Sequence, residues 1–286
     1  MQLPGPDHPA PAKLNLFLHV VGRRRDGYHL LQSVFTLIDL HDRLRFAVRG
    51  DGVVRRMNDV PGVAADQDLV VRAALLLKEA SGTALGADLE VDKHIPIGGG
   101  LGGGSSDAAT TLLVLNRAWK TGFDREALAE IGAGLGADVP FFIFGRSAWA
   151  EGIGDRLSPV EIAPRWYVVL VPPVQVPTPL AYGAPELTRN TEPLKIEDFS
   201  AQSRELGAGS RFHNDLEPVV VARFLEVREH LAWLRKHGDA RMTGSGSCVF
   251  AAFDDRESAQ RVIDALPGTM KGIIAQGMEH HPLLEL

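Results

Sequence analysis

The chain has 286 residues, enough for two domains of ordinary size, and its 36 acidic and 30 basic side chains give a net charge of −6. This balance disfavours non-specific binding to nucleic acid, which requires a basic surface. No apolar run reaches the roughly 18 residues of a membrane span, and the first residues lack the pattern of a signal peptide. The single cysteine excludes an internal disulfide and fits a reducing compartment. We therefore expect a cytoplasmic protein without membrane or nucleic-acid partners.

The N-terminal segment predicts a loose arm followed by a strand. Residues 1–11 hold four prolines, which are typical of an irregular terminus. Residues 13–20 then alternate in polarity, which places Lys13 and Asn15 on the same face of a strand. A lysine on a strand is commonly a solvated edge residue, so the pattern alone leaves the role of Lys13 open.

The following segment predicts ordinary strands and one helix. The strands cover residues 31–40, 44–48 and 89–95. The helix begins at Leu69, with Asp66 or Asp68 as its cap, and ends at Gly82. The last of these strands leads directly into the most informative stretch of the chain.

That stretch is residues 97–107, IGGGLGGGSSD, in which glycine fills six of the seven positions from Gly98 to Gly104. Apolar residues then recur at helical spacing, so the glycines open a helix near Ser105 and Ser106, residue types that cap helix starts. Free N–H groups and the helix dipole make such a place an anion site, most often for phosphate. A flexible linker is the alternative, but linkers do not normally run into a periodic helix.

The glycine loop matches neither of two common phosphate loops well. A Walker A loop needs a lysine after its last glycine, where this chain has Ser105. A dinucleotide fingerprint also needs an acidic residue after the next strand, whereas Asp124 lies in a stretch that predicts a turn and a helix cap. The remaining interpretation is a loop that holds a nucleoside triphosphate through backbone donors.

The stretch GADVPFFIF, residues 136–144, places Asp138 between a glycine-rich turn and an apolar run. This aspartate is either a cap or a site residue whose pKa is tuned by burial. A hairpin is expected next, and prolines between residues 157 and 164 then mark a boundary. We expect two domains, residues 1–157 and 158–286.

The second half predicts an α+β domain. Its expected elements are a strand over residues 166–171, an extended proline-rich segment over 172–179, a loop or lid over 189–209, a long helix from Leu216 to Gly238, a strand over 249–253, a short helix from Arg256 and a strand over 273–275. A second glycine motif, residues 242–248, is either a tight turn or another wall of the anion site.

Three motifs together resemble the signature regions of the GHMP (galacto-, homoserine, mevalonate and phosphomevalonate) kinase superfamily. They are PAKLNLFL (residues 11–18), PIGGGLGGGSSDAA (96–109) and RMTGSGSCVF (241–250). DGYHLL (26–31) and LGADVP (135–140) are similar to the branch that phosphorylates the 2-hydroxyl of 4-diphosphocytidyl-2-C-methyl-D-erythritol in the non-mevalonate route to isoprenoid precursors. The resemblance implies an α+β fold with a ribosomal-S5-like N-terminal domain, an α+β C-terminal domain and an active site in the cleft between them.

The resemblance also implies roles for particular residues. Lys13 and Asp138 would be the catalytic pair. The ATP-binding residues would be Lys93, Pro96, Ile97, Gly98, Gly99, Gly100, Leu101, Gly102, Gly103, Gly104, Ser105 and Ser106, and the residues at the cytidine end of the substrate would be Asn15, Tyr28, His29, Thr178 and Tyr182. Mg²⁺ is expected with ATP, with Ser105 or Ser106 as its candidate ligands.

Two acidic residues fit this scheme less directly. Asp107 lies close to the expected triphosphate, and we expect it to cap the helix. Asp68 stands where the family often carries an asparagine near adenine, which leaves its contact with the nucleotide in question.

Two alternatives stay open. One is another GHMP small-molecule kinase of the homoserine or mevalonate type, which has less use for the DGYHLL motif and the pair Tyr28 and Tyr182. The other is a non-catalytic nucleotide- or RNA-binding module, which the net charge of −6 and the pair Lys13 and Asp138 disfavour. A monomer or weak homodimer is expected.

Overall fold

The computed structural model describes Leu3, residues 5–202 and residues 211–285. The strands in this part of the chain are β1 His8–Arg23, β2 His29–Arg49, β3 Val54–Arg56, β4 Gly86–Asp92, β5 Ala148–Glu151, β6 Arg156–Pro159, β7 Trp166–Leu170, β8 Ala240–Met242, β9 Val249–Phe253 and β10 Gly272–Met278. The helices are α1 Leu69–Ser81, α2 Gly103–Ala118, α3 Arg125–Ala133, α4 Val139–Phe144, α5 Thr178–Gly183, α6 Ile196–Gln202, α7 Glu217–Arg223, α8 Leu225–Leu234 and α9 Arg256–Asp264.

The first half is built around the long strand β2, which pairs antiparallel with β1, β4 and β5. Helices α1 to α4 contribute to its apolar core, in which Leu77, Leu112 and Phe141 are fully buried. Strand β1 is buried on both faces over most of its length. The polar side of its alternation therefore does not face solvent, and Lys13 is only 3% exposed.

Local signals set the ends of the helices as the sequence predicts. Asp68 caps α1, because its Oδ1 accepts the N–H of Val70 at 3.0 Å, and Gly82 ends that helix with φ of 67°. Asp124 caps α3 by accepting the N–H of Ala127 at 2.9 Å. Asp68 also pairs with Arg56, so both of its carboxylate oxygens have partners within the protein.

The second half is an antiparallel sheet in the order β10–β7–β9–β8, packed against α7, α8 and α9. Strand β10 also pairs with β2 at Ile38 and Leu37, so a single ten-stranded sheet runs through both halves. A third buried cluster that includes Phe17, Trp149 and Phe212 fills the junction. The predicted α+β architecture is confirmed.

Several local predictions are wrong. The N-terminal arm expected over residues 1–11 is strand from His8 onward, where β1 begins. Proline is tolerated there because residues 8–11 of β1 pair with β2 on one side, and a register irregularity follows Pro11. The two strands expected over 31–40 and 44–48 are one strand, β2, with a buried Asp42 inside it.

Two predictions in the second half are also wrong. The long helix from Leu216 is broken at Phe224, whose φ of −119° and ψ of 103° are extended. Its apolar periodicity continues across the break and gives no sign of it. The proline-rich segment contains α5, in which Pro179 occupies the first turn, where proline is tolerated. The expected lid contains α6, and residues 203–209 of it lie outside the described residues.

The division between the halves, expected after residue 157, stays a prediction. The boundary after residue 157 lies inside β6, which pairs with β5 of the first half. The next strand, β7, belongs to the second sheet. We propose that the halves divide in the connection over residues 160–165.

Candidate active site

The glycine loop joins β4 to α2 and ends at the N-terminus of that helix. Gly98, Gly100 and Gly102 have φ of 75°, 78° and 73°, in the left-handed region that favours glycine. Such left-handed residues at alternate positions form backbone concavities whose N–H groups bind anions. Helix α2 begins at Gly103 without a side-chain cap, so its first N–H groups are available to an anion.

The polar side chains at the start of α2 differ from expectation. Gly102 is the N-cap, and Ser105 and Ser106 lie in the first turn without capping it. Ser105 lines the cavity described below, whereas Ser106 is fully buried and its Oγ has no hydrogen-bond partner in the described structure. The expectation that Asp107 caps the helix is wrong, because its buried carboxylate faces Lys93.

The second glycine motif packs directly on the first. The Cys248 N–H donates to the Gly99 carbonyl at 3.1 Å. A Cβ atom on Gly100 would lie 2.4 Å from the Thr243 carbonyl oxygen, and one on Gly244 would lie 3.1 Å from the Gly100 oxygen. Two glycine loops, one from each half of the protein, therefore meet backbone to backbone.

This contact makes Gly100→Ala a sharp test of the loop. Gly122 has nearly the same φ, 79°, but a Cβ there meets nothing within 4 Å. Gly122→Ala is therefore the matched control, with an expected loss of about 1 kcal/mol in the free energy of unfolding. Gly100→Ala is expected to lose about 3 kcal/mol in urea denaturation and to raise KM for ATP. Equal effects of the two substitutions would contradict the close packing.

Lys13 and Asp138 lie beside the glycine loop. The Lys13 backbone N–H donates to the Leu101 carbonyl at 3.0 Å, which ties β1 to the loop. The Lys13 Nζ lies 3.3 Å from Asp138 Oδ2 and donates to Asn15 Oδ1 at 2.5 Å. Asp138 occupies the N-cap position of α4, but its carboxylate makes no capping bond and is one third exposed. The carboxylate is thus held by the lysine and open to a ligand.

Asn15 fixes the orientation of this pair. Its side-chain amide donates to Ser33 Oγ at 2.8 Å, so its oxygen is turned towards Lys13. Its backbone N–H donates to Thr243 Oγ1 at 3.0 Å. Asn15, which holds the lysine, is therefore anchored to β2 by its side chain and to the second glycine motif by its backbone.

Lys93 belongs to a separate buried network at the back of the glycine loop. Its Nζ contacts Asp42 and lies 2.7 Å from Asp107 Oδ2. Asp42 is fully buried and also accepts the N–H groups of His94 and Ile95 at the start of the loop. The network thus joins β2, the beginning of the loop and α2.

The charges in this network are strongly perturbed. Burial raises the pKa of Asp107 to about 8. The positive charge of Lys93 offsets only part of this increase, and the negative charge of Asp42 adds to it. Burial opposes the charge of Lys93, but the two carboxylates outweigh it and its pKa lies above the ordinary value. The ammonium of Lys93 therefore pairs with the carboxyl groups of Asp42 and Asp107.

The far end of the cavity is aromatic. Tyr28 is 62% exposed, while the rings of His29 and Tyr182 lie 5.2 Å apart with planes inclined at 33°. Thr178 Oγ1 lies 2.9 Å from Ser245 Oγ of the second glycine motif. Burial raises the pKa of Tyr182, and the charge of Asp138 adds to that effect.

A cavity of about 780 Å³ between the two halves brings most of the predicted site residues together. Those that line it are Lys13, Asn15, Tyr28, His29, Gly98, Gly100, Gly102, Ser105, Asp138, Thr178 and Tyr182. Those that do not are Lys93, Pro96, Ile97, Gly99, Leu101, Gly103, Gly104 and Ser106. Their predicted contacts with substrate or nucleotide remain predictions.

Three polar residues in or next to the site were not predicted from the sequence. Asp42 sits in a stretch, LHDRL, whose charges indicate a turn, and no local pattern marks it as buried. Arg189 lines the cavity and bonds to His29, but it begins a segment without periodicity. Thr243 lies inside the second glycine motif, which was the only signal available for it.

Two absences hold for the part of the chain that the structure describes. It contains no cluster of three or more His, Cys, Asp or Glu side chains arranged to hold a metal ion. It also contains no helix with the length and apolar character needed to cross a bilayer.

Comparison with known proteins agrees with this geometry. Family models for the GHMP kinases N terminal domain and the GHMP kinases C terminal match residues 68–146 and 194–272. A 4-diphosphocytidyl-2-C-methyl-D-erythritol kinase of Thiobacillus denitrificans is 57% identical over 277 residues, which cover 97% of each chain. The kinase of the same name from Aromatoleum aromaticum is 56% identical, over 97% of this chain and 95% of its own.

Solved structures give the same result. A crystal structure of 4-(cytidine 5'-diphospho)-2C-methyl-D-erythritol kinase superposes with a TM-score of 0.82 at 35% identity, covering 95% of this chain and 99% of that one. A mevalonate kinase superposes with a TM-score of 0.70 at 13% identity, covering 96% and 100%, which shows a shared fold. Fold and site together define an ATP-dependent small-molecule kinase. The chain belongs to the 4-diphosphocytidyl-2-C-methyl-D-erythritol kinase family of the GHMP kinases.

Proposed function

We propose that the protein transfers the γ-phosphoryl group of ATP to the 2-hydroxyl of 4-diphosphocytidyl-2-C-methyl-D-erythritol, a step of the non-mevalonate route to isoprenoid precursors. The observation that carries the proposal is a single cavity with three parts in sequence. The glycine loop lies at one end, the pair Lys13 and Asp138 in the middle, and the aromatic residues Tyr28, His29 and Tyr182 at the other. A nucleoside diphosphate joined to a small polyol fits this order.

In the proposed mechanism Asp138 receives the proton of the 2-hydroxyl as that oxygen attacks phosphorus. Lys13 orients the Asp138 carboxylate through their 3.3 Å contact, and its charge also stabilises the negative charge on the transferred group. Phosphoryl transfer depends mainly on positioning and electrostatics, so a charge pair held by Asn15 is well suited to it.

The triphosphate of ATP would lie on the N–H groups of residues 98–105, because the loop and the first turn of α2 leave them available. Mg²⁺ is part of the proposal and neutralises phosphate charge when it is bound. The described residues offer no acidic metal cluster, so the ion would be held mainly by phosphate oxygens and water. Ser105, which lines the cavity, fits as its protein contact, whereas the buried Ser106 does not.

The cytidine end of the substrate would lie between Tyr28 and Tyr182, with His29 at the edge of the base and Thr178 beside it. Tyr28 stacks on no other ring among the described residues and is mostly exposed, so its ring is available to a base. Asn15 would face the substrate from the middle of the cavity.

Removal of the Tyr28 ring tests this placement. Stacking of a base on an aromatic ring contributes about 1–3 kcal/mol. Tyr28→Ala is therefore expected to raise KM for 4-diphosphocytidyl-2-C-methyl-D-erythritol, called the cytidylyl substrate below, roughly 10-fold and to leave KM for ATP unchanged. Tyr28→Phe is the matched control, since it keeps the ring and should stay close to wild type. Equal increases in both KM values for Tyr28→Ala would contradict the assignment.

A coupled ADP-release assay with three acceptors tests the function itself. The cytidylyl substrate, homoserine and mevalonate are each supplied with ATP and Mg²⁺, and turnover is expected with the first alone. Turnover with homoserine or mevalonate instead would favour another GHMP activity, and no turnover with any acceptor would favour a non-catalytic module. We further propose that the enzyme acts in the cytoplasm as a monomer or weak homodimer, without nucleic-acid or membrane partners.

A further inference from the structure

Arg189, in the segment after α5, makes four hydrogen bonds at the aromatic end of the cavity. Its Nε donates to Nε2 of His29 at 3.1 Å. Its Nη2 donates to the carbonyls of Tyr182 and Ala184 at 3.1 and 2.6 Å, and its Nη1 donates to the carbonyl of Leu187 at 3.0 Å. Since His29 begins β2 of the first half, the Arg189 side chain links His29 to α5 of the second half.

The chemistry of this contact sets the tautomer of His29. A guanidinium group has only donors, so Nε2 of His29 must accept through its lone pair. A neutral imidazole that accepts at Nε2 carries its proton on Nδ1. Within the part of the chain that the structure describes, Nδ1 of His29 has no hydrogen-bond partner, and His29 lines the cavity. Its N–H group is therefore available to a ligand.

The surroundings of the ring favour this neutral form. Burial lowers the pKa of His29 below its ordinary value of 6.5, and the positive charges of Arg189 and Arg23 lower it further. The ring of Tyr182 packs 5.2 Å from that of His29, which restricts rotation of the imidazole. At neutral pH the site therefore presents one fixed donor instead of an imidazolium that donates at both nitrogens.

We propose that Arg189 is a positioning residue that fixes the Nδ1–H tautomer of His29 and thereby selects cytosine over uracil. This inference rests on the proposed function. Cytosine has hydrogen-bond acceptors at N3 and O2, whereas uracil carries a proton on N3. A histidine that donates from Nδ1 pairs with N3 of cytosine and meets a second donor at N3 of uracil. Buried donors that are left unpaired are an effective basis for rejecting a ligand.

The tautomer can be measured in the free enzyme, without any substrate. Long-range ¹H–¹⁵N correlation spectra of the uniformly ¹⁵N-labelled protein at pH 7.5 distinguish protonated from unprotonated ring nitrogens, and His29→Gln identifies the His29 signals. The expected result is a protonated Nδ1 and an unprotonated Nε2. A wild-type ring protonated at Nε2 would overturn the inference.

Base selection is measured with Arg189→Met, which removes every donor but keeps much of the side-chain volume. Its matched control is Arg223→Met, because Arg223 is an arginine paired with Glu186 near the same segment and lies outside the cavity. The measured quantity is the ratio of kcat/KM for the cytidylyl substrate to kcat/KM for its uridylyl analogue. Arg189→Met is expected to reduce this ratio roughly 10- to 100-fold, mainly through KM for the cytidylyl substrate. Arg223→Met should leave it unchanged.

A merely structural role for Arg189 would lower kcat/KM for both nucleotides equally, and an unchanged ratio would therefore overturn the inference. The wild-type spectrum needs no variant, so the tautomer remains testable if Arg189→Met does not fold. If the wild-type enzyme turns over no cytidylyl substrate, the proposed function fails, and the base-selection part of the inference fails with it.

Discussion

Asp138→Asn is expected to lower kcat roughly 10²- to 10⁴-fold while KM for ATP stays near its wild-type value. Asparagine has nearly the size and shape of aspartate, but its amide cannot take the proton of the attacking hydroxyl. The nucleotide is expected to contact the glycine loop instead of Asp138, so its binding should persist. Steady-state ADP release with ATP and the cytidylyl substrate, each varied in turn, separates kcat from the two KM values.

The matched control for this substitution is Asp124→Asn. Asp124 also occupies a helix N-cap position, but its carboxylate caps α3 and lies outside the cavity. Because asparagine caps helices about as well as aspartate, Asp124→Asn should keep both activity and stability. If Asp138→Asn retained wild-type kcat, Asp138 would have no place in the mechanism.

Lys13→Met is expected to lower kcat roughly 10²- to 10³-fold, because it removes the positive charge that holds Asp138 and, in the proposed mechanism, faces the transferred group. The substitution also leaves Asn15 Oδ1 without its donor, so we expect a lower free energy of unfolding. The kinetic measurement is the same ADP-release assay, and urea denaturation measures the change in stability.

Lys78→Met is the matched control for Lys13. Lys78 donates to the Gly52 carbonyl, and it lies on α1 away from the cavity. Its replacement should affect stability alone. In the proposed mechanism Lys13 and Asp138 act as a unit, so the double variant should lose much less activity than the product of the two single losses. A fully multiplicative loss would show that the two residues act separately.

The sequence was most informative where chemistry restricts local conformation. A run of glycines before a periodic helix predicted the loop, and three of those glycines have positive φ. Alternation placed Lys13 and Asn15 on one face, and the structure joins their side chains. The caps at Asp68 and Asp124 followed from residue type and position.

The rest depended on contacts between distant segments. Nothing local distinguishes Asp138 from a capping aspartate, and only the family resemblance paired it with Lys13. Asp42 looks like part of a polar turn because its partners, Lys93 and the start of the glycine loop, come about fifty residues later. Arg189 has the same difficulty, since its partner His29 lies in the other half of the protein.

A crystal structure with a non-hydrolysable ATP analogue and the cytidylyl substrate tests the central claim most directly. The account predicts that the γ-phosphoryl group lies at the glycine loop next to Lys13, with the 2-hydroxyl within hydrogen-bonding distance of the Asp138 carboxylate. A 2-hydroxyl bound away from Asp138, or a triphosphate bound outside the glycine loop, would contradict it.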